Sequence, residues 1–322
     1  GGDPSKPGSV VPRRYLEVIA GGRQPFESAG SGRRQLAEVI ASADNPLTAR
    51  VMVNRVWHHL FGRGIVATTD NFGRIGQPPT HPELLDYLAA EFVRDDWSIK
   101  KLIRKIVLST TFRQSSRPHS QSVQPDPDNR LLHHYPSRRL SAEPIRDTVL
   151  AVSGRLDPTI YGPSIDPFRQ KEVDYRKLFS GPLDGAGRRS IYTKITRMEG
   201  PQFLELFDFH NPTATRGHRD RTNVPAQALA MLNDPFVIDQ AEFWAEQLVA
   251  ANHGSIEGRI QSMFQRAVGR SPTEKEQQRF VALVRQLADD PSADEATLLQ
   301  AKSVWQDAAH ALFNMNELIY VR

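Results

Sequence analysis

With 322 residues and 36.2 kDa, the chain is long enough to bury a sizeable core, as one large domain or as two lobes. Hydrophobic content of 39 % beside 24 % charged residues is that of a globular protein, and no apolar run approaches the roughly 18 residues of a membrane span. Lysine and arginine exceed aspartate and glutamate only by 41 to 37, so nucleic acid is not an expected partner despite a pI of 9.4, and the lack of cysteine excludes disulfides, thiolate zinc sites, a cysteine nucleophile and covalent c-type haem in this chain.

Residues 1–32 are rich in Gly, Pro and Ser around one apolar patch, Tyr15, Leu16, Val18 and Ile19, and read as an extended arm able to dock on the body. Nothing there has the charged-then-apolar pattern of a signal peptide, so the start reads as an interior fragment. A first helical block spans 33–113. Its first informative helix is expected to open at Pro46 with Asp44 or Asn45 as cap. Within it Arg50, Asn54 and His58 recur at i, i+4 and i+8, one polar stripe between Leu47, Val51, Val53, Val56, Trp57 and Leu60. Buried polar groups need partners, so the stripe is either a structural network or the wall of a pocket. The glycines of FGRG and NFGRIG, with Asn71 and Arg74, supply tight turns and further donors suited to carboxylate, sulfate or sugar hydroxyls. Thr80-His81-Pro82-Glu83 predicts a capping box ahead of Leu85, Leu88, Ala89 and Phe92. In the next helix Lys100, Lys101, Arg104 and Lys105 oppose Ile99, Leu102, Ile103, Ile106 and Val107, a pattern most often explained by a solvated face.

Residues 114–137 read as a linker, with a proline-rich, aperiodic stretch from Gln114 to Asn129, and 138–322 as a second, mostly helical block packed on the first as one domain. A helix should start near Ser141 and stop at Gly154. The turn-rich segment 156–187 is followed by RRSIYTKITR, residues 188–197, whose β-branched and aromatic alternation predicts a strand. Helical faces then follow at Val237, Ala241, Trp244 and Leu248; at Ile256, Ile260, Phe264 and Ala267; after a second capping box, Thr273 to Glu276, at Phe280, Leu283, Val284 and Leu287; and at Val304, Trp305, Ala308 and Leu312. The expected fold is mainly α: a compact multi-helix body with a minor β element and long irregular loops.

Three further constellations bear on chemistry. Arg138, Arg139, Glu143, Arg146 and Asp147 set two carboxylates at i, i+4 among arginines, either an acid/base pair or, more commonly, ion-paired structure bracing the first block. Asp208, His210, His218 and Asp220 carry metal-ligand types, but their spacing fits no metal motif, and no metal is expected. The doublets His58-His59 and His133-His134 point neighbouring rings about 100° apart on a helix and do not chelate as i, i+4 pairs do. No dinucleotide fingerprint, Walker loop or nucleophile elbow is present.

The segments NPLTARVMVNRVWHHLFGRGIV, DNFGRIGQPPTHPELLDYLAAEF, WSIKKLIRKIVLSTTFRQSS, RRLSAEPIRDTVLAVSGRLD, RRSIYTKITR, TNVPAQALAMLNDPFVIDQA and NELIYVR occur in this order. Together, from about Arg33 to Arg322, they resemble domain of unknown function 1553, also called planctomycete-specific domain 1. That resemblance implies no assigned reaction. It implies a C-terminal domain of a large exported protein, extracytoplasmic in the periplasm or at the cell surface. A sister domain and often a cytochrome c-like domain of the same polypeptide would be its partners, and any c-type haem would belong to those neighbours. The resulting expectation is a binding or scaffolding domain. The competing one is a catalytic domain acting on a carbohydrate or sulfated polyhydroxylated substrate, as in polysaccharide utilisation. There Arg50, Asn54, His58, Asn71, Arg74, Arg139 and Arg146 would bind ligand, His58 or His81 would transfer a proton, and Glu143 or Asp147 would act as the carboxylate.

Overall fold

A computed structural model describes residues 3, 5–20, 25–26, 30–118, 123, 125–172, 178–196, 199–210, 212–213, 216–251, 253–288, 290 and 292–321. Parts of the expected arm, of the expected linker, of segment 156–187 and of the loop 207–223 lie outside the described residues, as does Arg197 at the end of the expected strand. The structure is mainly α and falls into two compact units, Gly1–Pro136 and Ser137–Arg322.

In the first unit, α1 (Arg33–Ala41), α2 (Thr48–Phe61), α3 (Pro82–Arg94) and α4 (Ile99–Val107) follow a helical turn at Glu17–Ala20. The α2 helix begins two residues later than Pro46 suggests. Asn45 is buried and its Oδ1 accepts from the Leu47 amide at 2.9 Å, so it closes a turn ahead of the helix instead of capping it. The core consists of Val53, Trp57 and Phe61 from α2, Leu85, Leu88, Ala89 and Phe92 from α3, and Leu102 and Ile106 from α4. Each set follows the helical period. An aromatic chain extends it: Trp57 stacks on Phe61 at 4.3 Å, and Phe112 and Tyr135 meet edge-on at 5.2 Å. The Tyr135 hydroxyl donates to the Leu60 carbonyl at 3.0 Å.

The capping box expected at Thr80–Glu83 does not form. The Thr80 amide donates to the Ile65 carbonyl at 2.9 Å and its hydroxyl to the same oxygen at 3.3 Å, so α3 starts at Pro82 with His81 in the cap position and no side-chain cap bond. A tertiary acceptor has taken the group the local motif would use. On α4, Leu102 and Ile106 are buried, whereas Ile99 and Ile103 are exposed, so the buried apolar stripe is narrower than the sequence pattern.

In the second unit, β1 (Arg138–Arg139) leads into α5 (Ala142–Ser153), stopped by Gly154 at φ 77°, as expected. There follow α6 (Gln202–Leu206), α7 (Pro225–Asn233), α8 (Pro235–Ala250), α9 (Ile256–Val268), α10 (Glu274–Gln286), α11 (Glu295–Gln300), α12 (Lys302–Phe313), α13 (Asn316–Ile319) and β2 (Tyr320–Val321). Helices α8 and α12 form the most extensive pair, burying Val237, Ala241, Trp244 and Leu248 against Trp305, Ala308 and Leu312. The capping box at Thr273–Glu276 is complete, with both reciprocal bonds made.

The minor β element is real but lies elsewhere than 188–197. Arg138 and Arg139 pair antiparallel with Val321 and Tyr320. Segment 188–196 instead holds a 3-10 turn, Ser190–Tyr192, flanked by isolated bridges from Arg188 to Asp157 and from Thr193 to Ile165. Its alternation reflects burial of Ser190 beside exposed Ile191, and the hydrogen bonds that would continue a ladder are diverted to α5 side chains.

Candidate functional site

The polar stripe on α2 is divided among three environments. Arg50 Nε bonds to Asp86 Oδ1 on α3 at 2.7 Å and its Nη1 to the Pro46 carbonyl at 2.6 Å, which ties α2 to α3 at their N-terminal ends. Asn54 is fully buried and reads both backbone groups of Val66: its Nδ2 donates to the carbonyl at 3.0 Å and its Oδ1 accepts from the amide at 2.8 Å. A Cβ on Gly64 would lie 2.4 Å from the Val66 oxygen and 2.8 Å from Asn54 Nδ2, so the glycine is required by the close approach of this loop. His58 is half-buried and His59 exposed, as their positions on the helix predict.

Beyond the stripe, Asn71 Oδ1 accepts from the Gly73 amide at 2.9 Å and so shapes its own turn. Arg74 is exposed, and Ile75 beside it is 89 % exposed. His81 sits at the α3 cap with Nδ1 3.0 Å from Thr80 Oγ1, on the wall of a small cavity of about 70 Å³ shared with Trp57 and Phe61. His133 and His134 contact one another, Nδ1 to Nδ1 at 3.2 Å, and burial together with the His133 charge lowers the pKa of His134.

In the second unit α5 presents Glu143, Arg146 and Asp147 at helical spacing; Glu143 turns to one partner, Arg219, while Arg146 and Asp147 share another, Ser190. Glu143 holds Arg219 through both oxygens, at 2.8 and 2.6 Å. Asp147 Oδ1 accepts from the amide and the hydroxyl of Ser190, each at 2.7 Å. Arg146 is buried, and burial lowers its pKa; it donates to the carbonyls of Arg188 and Asp184, at 3.0 and 2.7 Å, and to the Ser190 hydroxyl at 3.1 Å. These bonds fasten α5 to the irregular segment 184–190 and to the loop carrying Arg219. Beside Arg146 lies a mostly apolar cavity of about 90 Å³ lined by Phe203, Leu183 and Phe236, with Asp234, whose carboxyl burial shifts upward.

The most open chemistry surrounds Arg139. Its side chain is buried, and Nη2 bonds to Asp208 Oδ2 at 2.5 Å, while among the described residues Nε and Nη1 find no hydrogen-bond partner. Desolvation lowers its pKa, and Asp208 opposes that shift. Asp208, at φ 63°, also accepts from the amide and hydroxyl of Thr222, each at 2.7 Å, so this carboxylate of the loop 207–223 is engaged by protein donors. Asp220 is likewise paired, with Arg216 at 2.6 Å. The pKa of Arg221 is lowered, by desolvation first and then by the charges of Arg138 and Arg139.

Arg139 lines a cavity of about 350 Å³ between α7, the α12–α13 turn and the β1–β2 pair. Asn223, Gln227, Asn314, Asn316, Tyr320 and Ser137 contribute its polar lining, and Met231, Met315 and Ile319 its apolar part. Among the described residues no carboxylate lines it. Of these residues the sequence singled out Arg139 alone. Asn223 falls in a loop and Asn316 and Tyr320 in the terminal NELIYV segment, and no local spacing links them to Arg139. The partners Asp86, Ser190 and Arg219 were equally illegible, lying 36, 43 and 76 residues from Arg50, Asp147 and Glu143.

Fold and site together define a mainly α protein whose polar residues chiefly tie loops to helices, with a polar cavity beside Arg139. The chain belongs to the PSD1 family of proteins of unknown function (DUF1553), whose model matches residues 32–284. Neither the curated proteins nor the solved structures contain a significant match to it.

Proposed function

We propose that this chain is a binding or scaffolding domain and that it performs no chemistry of its own. The observation that carries this reading is the commitment of the two α5 carboxylates: both Glu143 oxygens are held by Arg219, and Asp147 by Ser190. A general acid or base needs access to a substrate proton within hydrogen-bond reach, and these groups reach neighbouring protein donors instead. Arg50, Asn54 and Arg146 serve in the same way as anchors for backbone and loops. The setting is that of the family: an extracytoplasmic, multidomain polypeptide in which the domain binds a sister domain and serves a cytochrome c-like module. No helix among the described residues is long and apolar enough to cross a membrane.

The competing reading, catalysis on a carbohydrate or sulfated substrate, draws its support from the polar cavity beside Arg139. The experiment that separates the two is incubation of the protein with neutral and sulfated polysaccharides, following reducing ends and released sulfate, alongside a thermal-shift titration with a c-type cytochrome. Binding of the cytochrome without turnover is expected. Turnover that disappears in a folded Glu143→Gln or Asp147→Asn variant would establish the enzyme reading instead.

A further inference from the structure

No charged residue occurs between Arg221 and Asp234, the longest uncharged run of the chain, and α7 occupies most of it. A helix so poor in polar groups is ordinarily buried all round. This one turns Gln227, Ala230 and Met231 inward and leaves Pro225, Leu229 and Leu232, at i, i+4 and i+7, on its outer face, with Leu229 56 % and Leu232 47 % exposed. Val224, directly before the helix, and Ile238, on the first turn of α8, are exposed as well. Polar bonds fix this orientation. Gln227 Nε2 donates to the Leu206 carbonyl at 3.0 Å and to the Thr222 hydroxyl at 3.2 Å. At the other end the Met231 carbonyl lies 3.0 Å from His310 Nε2 on α12 and accepts from Asn314 Nδ2 at 3.4 Å. Rolling α7 to bury its leucines would break these bonds, so the apolar face stays outward until another surface covers it.

Across a two-fold axis a surface meets itself, and any net charge on it would oppose its own kind. The outer face of α7 carries none. Charges stand only beyond its two ends, and they differ in sign: Arg221 precedes the helix, and Asp234 and Asp239 follow it. Among the described residues none of these three has an ion-pair partner. An antiparallel pair of α7 helices, crossing at the central Leu229, sets the Arg221 end of each against the acidic end of the other. We infer that α7 is a self-association surface and that a second copy of this chain docks on it in that antiparallel sense. Leu229 then meets Leu229, and Leu232 of each copy lies beside the Pro225 end of the other. The face of a 9-residue helix is small beside the roughly 800 Å² per partner of a standard interface, so the dimer is a weak one, with a Kd in the micromolar range.

The test is sedimentation velocity of the whole chain from about 1 to about 300 μM at constant ionic strength, a range that spans such a Kd. A reversible monomer–dimer equilibrium is expected. Leu229→Asp or Leu232→Asp would bury a carboxylate in the contact and should weaken it about a hundredfold or more. Melting at the lowest concentration should stay at the parent value, because both leucines are exposed in the monomer. Arg221→Asp should weaken the dimer about fivefold, the scale of a surface ion pair. The absence of cysteine permits a check of geometry. Under mild oxidation Leu229→Cys should form an interchain disulfide across the axis, whereas the two copies of Asn233→Cys stand about 12 Å apart along the helices and should not. A chain that is monomeric throughout the range overturns the inference and leaves the face to a partner of different sequence. A dimer that both aspartate substitutions leave intact, or one cross-linked by Asn233→Cys and not by Leu229→Cys, overturns it as well.

Discussion

Replacing Asn54 by leucine removes the donor and the acceptor that the Val66 carbonyl and amide now use, and leaves both backbone groups buried. An unsatisfied buried polar group costs about 1–3 kcal/mol, so Asn54→Leu is expected to destabilise by about 2–4 kcal/mol, read as a lower urea midpoint at unchanged slope. Gly64→Ala places its new Cβ 2.4 Å from the same Val66 oxygen and should disturb the same bracket. Because the two changes damage one set of contacts, the double variant should lose less than the sum of the singles; strict additivity would mean that the bracket is not a unit. The same residue-level logic applies to Asp208 with a change of charge alone. Asn tolerates the left-handed conformation found there, so Asp208→Asn keeps the backbone while withdrawing the counter-charge of buried Arg139. A loss of about 3–5 kcal/mol in thermal or chemical unfolding is expected. A variant as stable as the parent would show that Arg139 is solvated in another way.

The α10 helix buries Val284 fully and packs half-buried Phe280 and Val281 against the core, and its start is tied down by polar bonds. Thr273 and Glu276 cap each other, and Arg270 bonds both to Glu276 and to Glu317 on α13, at 2.7 and 2.5 Å. Arg270 foremost, with the Thr273 bonds, brings the Glu276 carboxyl from 4.5 down to about 2. A folded pKa below the unfolded one means stability that is present above about pH 4.5 and lost as pH falls towards 2. Glu276→Gln should therefore lower the melting temperature at pH 6, by the equivalent of about 1 kcal/mol for a partly exposed pair and its cap, and the gap to the parent should narrow as the pH falls below 4.5 and close only towards pH 2. A gap that stays constant with pH would assign the effect to the cap geometry and not to the charge. Comparison of the two Thr-x-x-Glu motifs shows what a sequence can carry. Both have the local signature, yet Thr80 is claimed by the Ile65 carbonyl from an earlier loop, while Thr273 meets no such competitor. Helices with strong apolar periodicity, such as α5, α8, α9 and α12, were legible because their burial follows from spacing alone. The strand expected at 188–197 was not, because Ser190 is captured by Asp147 from a helix 43 residues earlier, a choice that depends on tertiary placement. The α2 stripe was legible as a stripe for the same reason that its partners were not: periodicity fixes which residues share a face and says nothing of what arrives opposite.

At the scale of the molecule, each unit has an apolar core of its own. In Ser137–Arg322 that core is large: Trp244, Trp305, Phe264, Val237 and Ile260 are all at 0 % exposure, and the principal cluster runs from Ala142 to Leu318 without needing a residue outside the unit. Even the edge of the sequence is used, since β2 pairs with β1 and the Leu140 amide donates to the Ile319 carbonyl at 2.7 Å. A core closed within one unit, together with hydrogen bonds that join its first and last elements, is what an independently folding domain requires. The fragment 137–322 should accordingly fold when expressed alone, with a sharp near-ultraviolet circular dichroism signal from Trp244 and Trp305 and a single cooperative urea transition. The truncation Ser137–Leu318, which removes β2, should broaden that transition and lower its midpoint, because it releases the backbone partners of Arg139 and Leu140. A fragment 137–322 with helical far-ultraviolet signal but no near-ultraviolet structure would show instead that the two blocks acquire their packing together, as one folding domain.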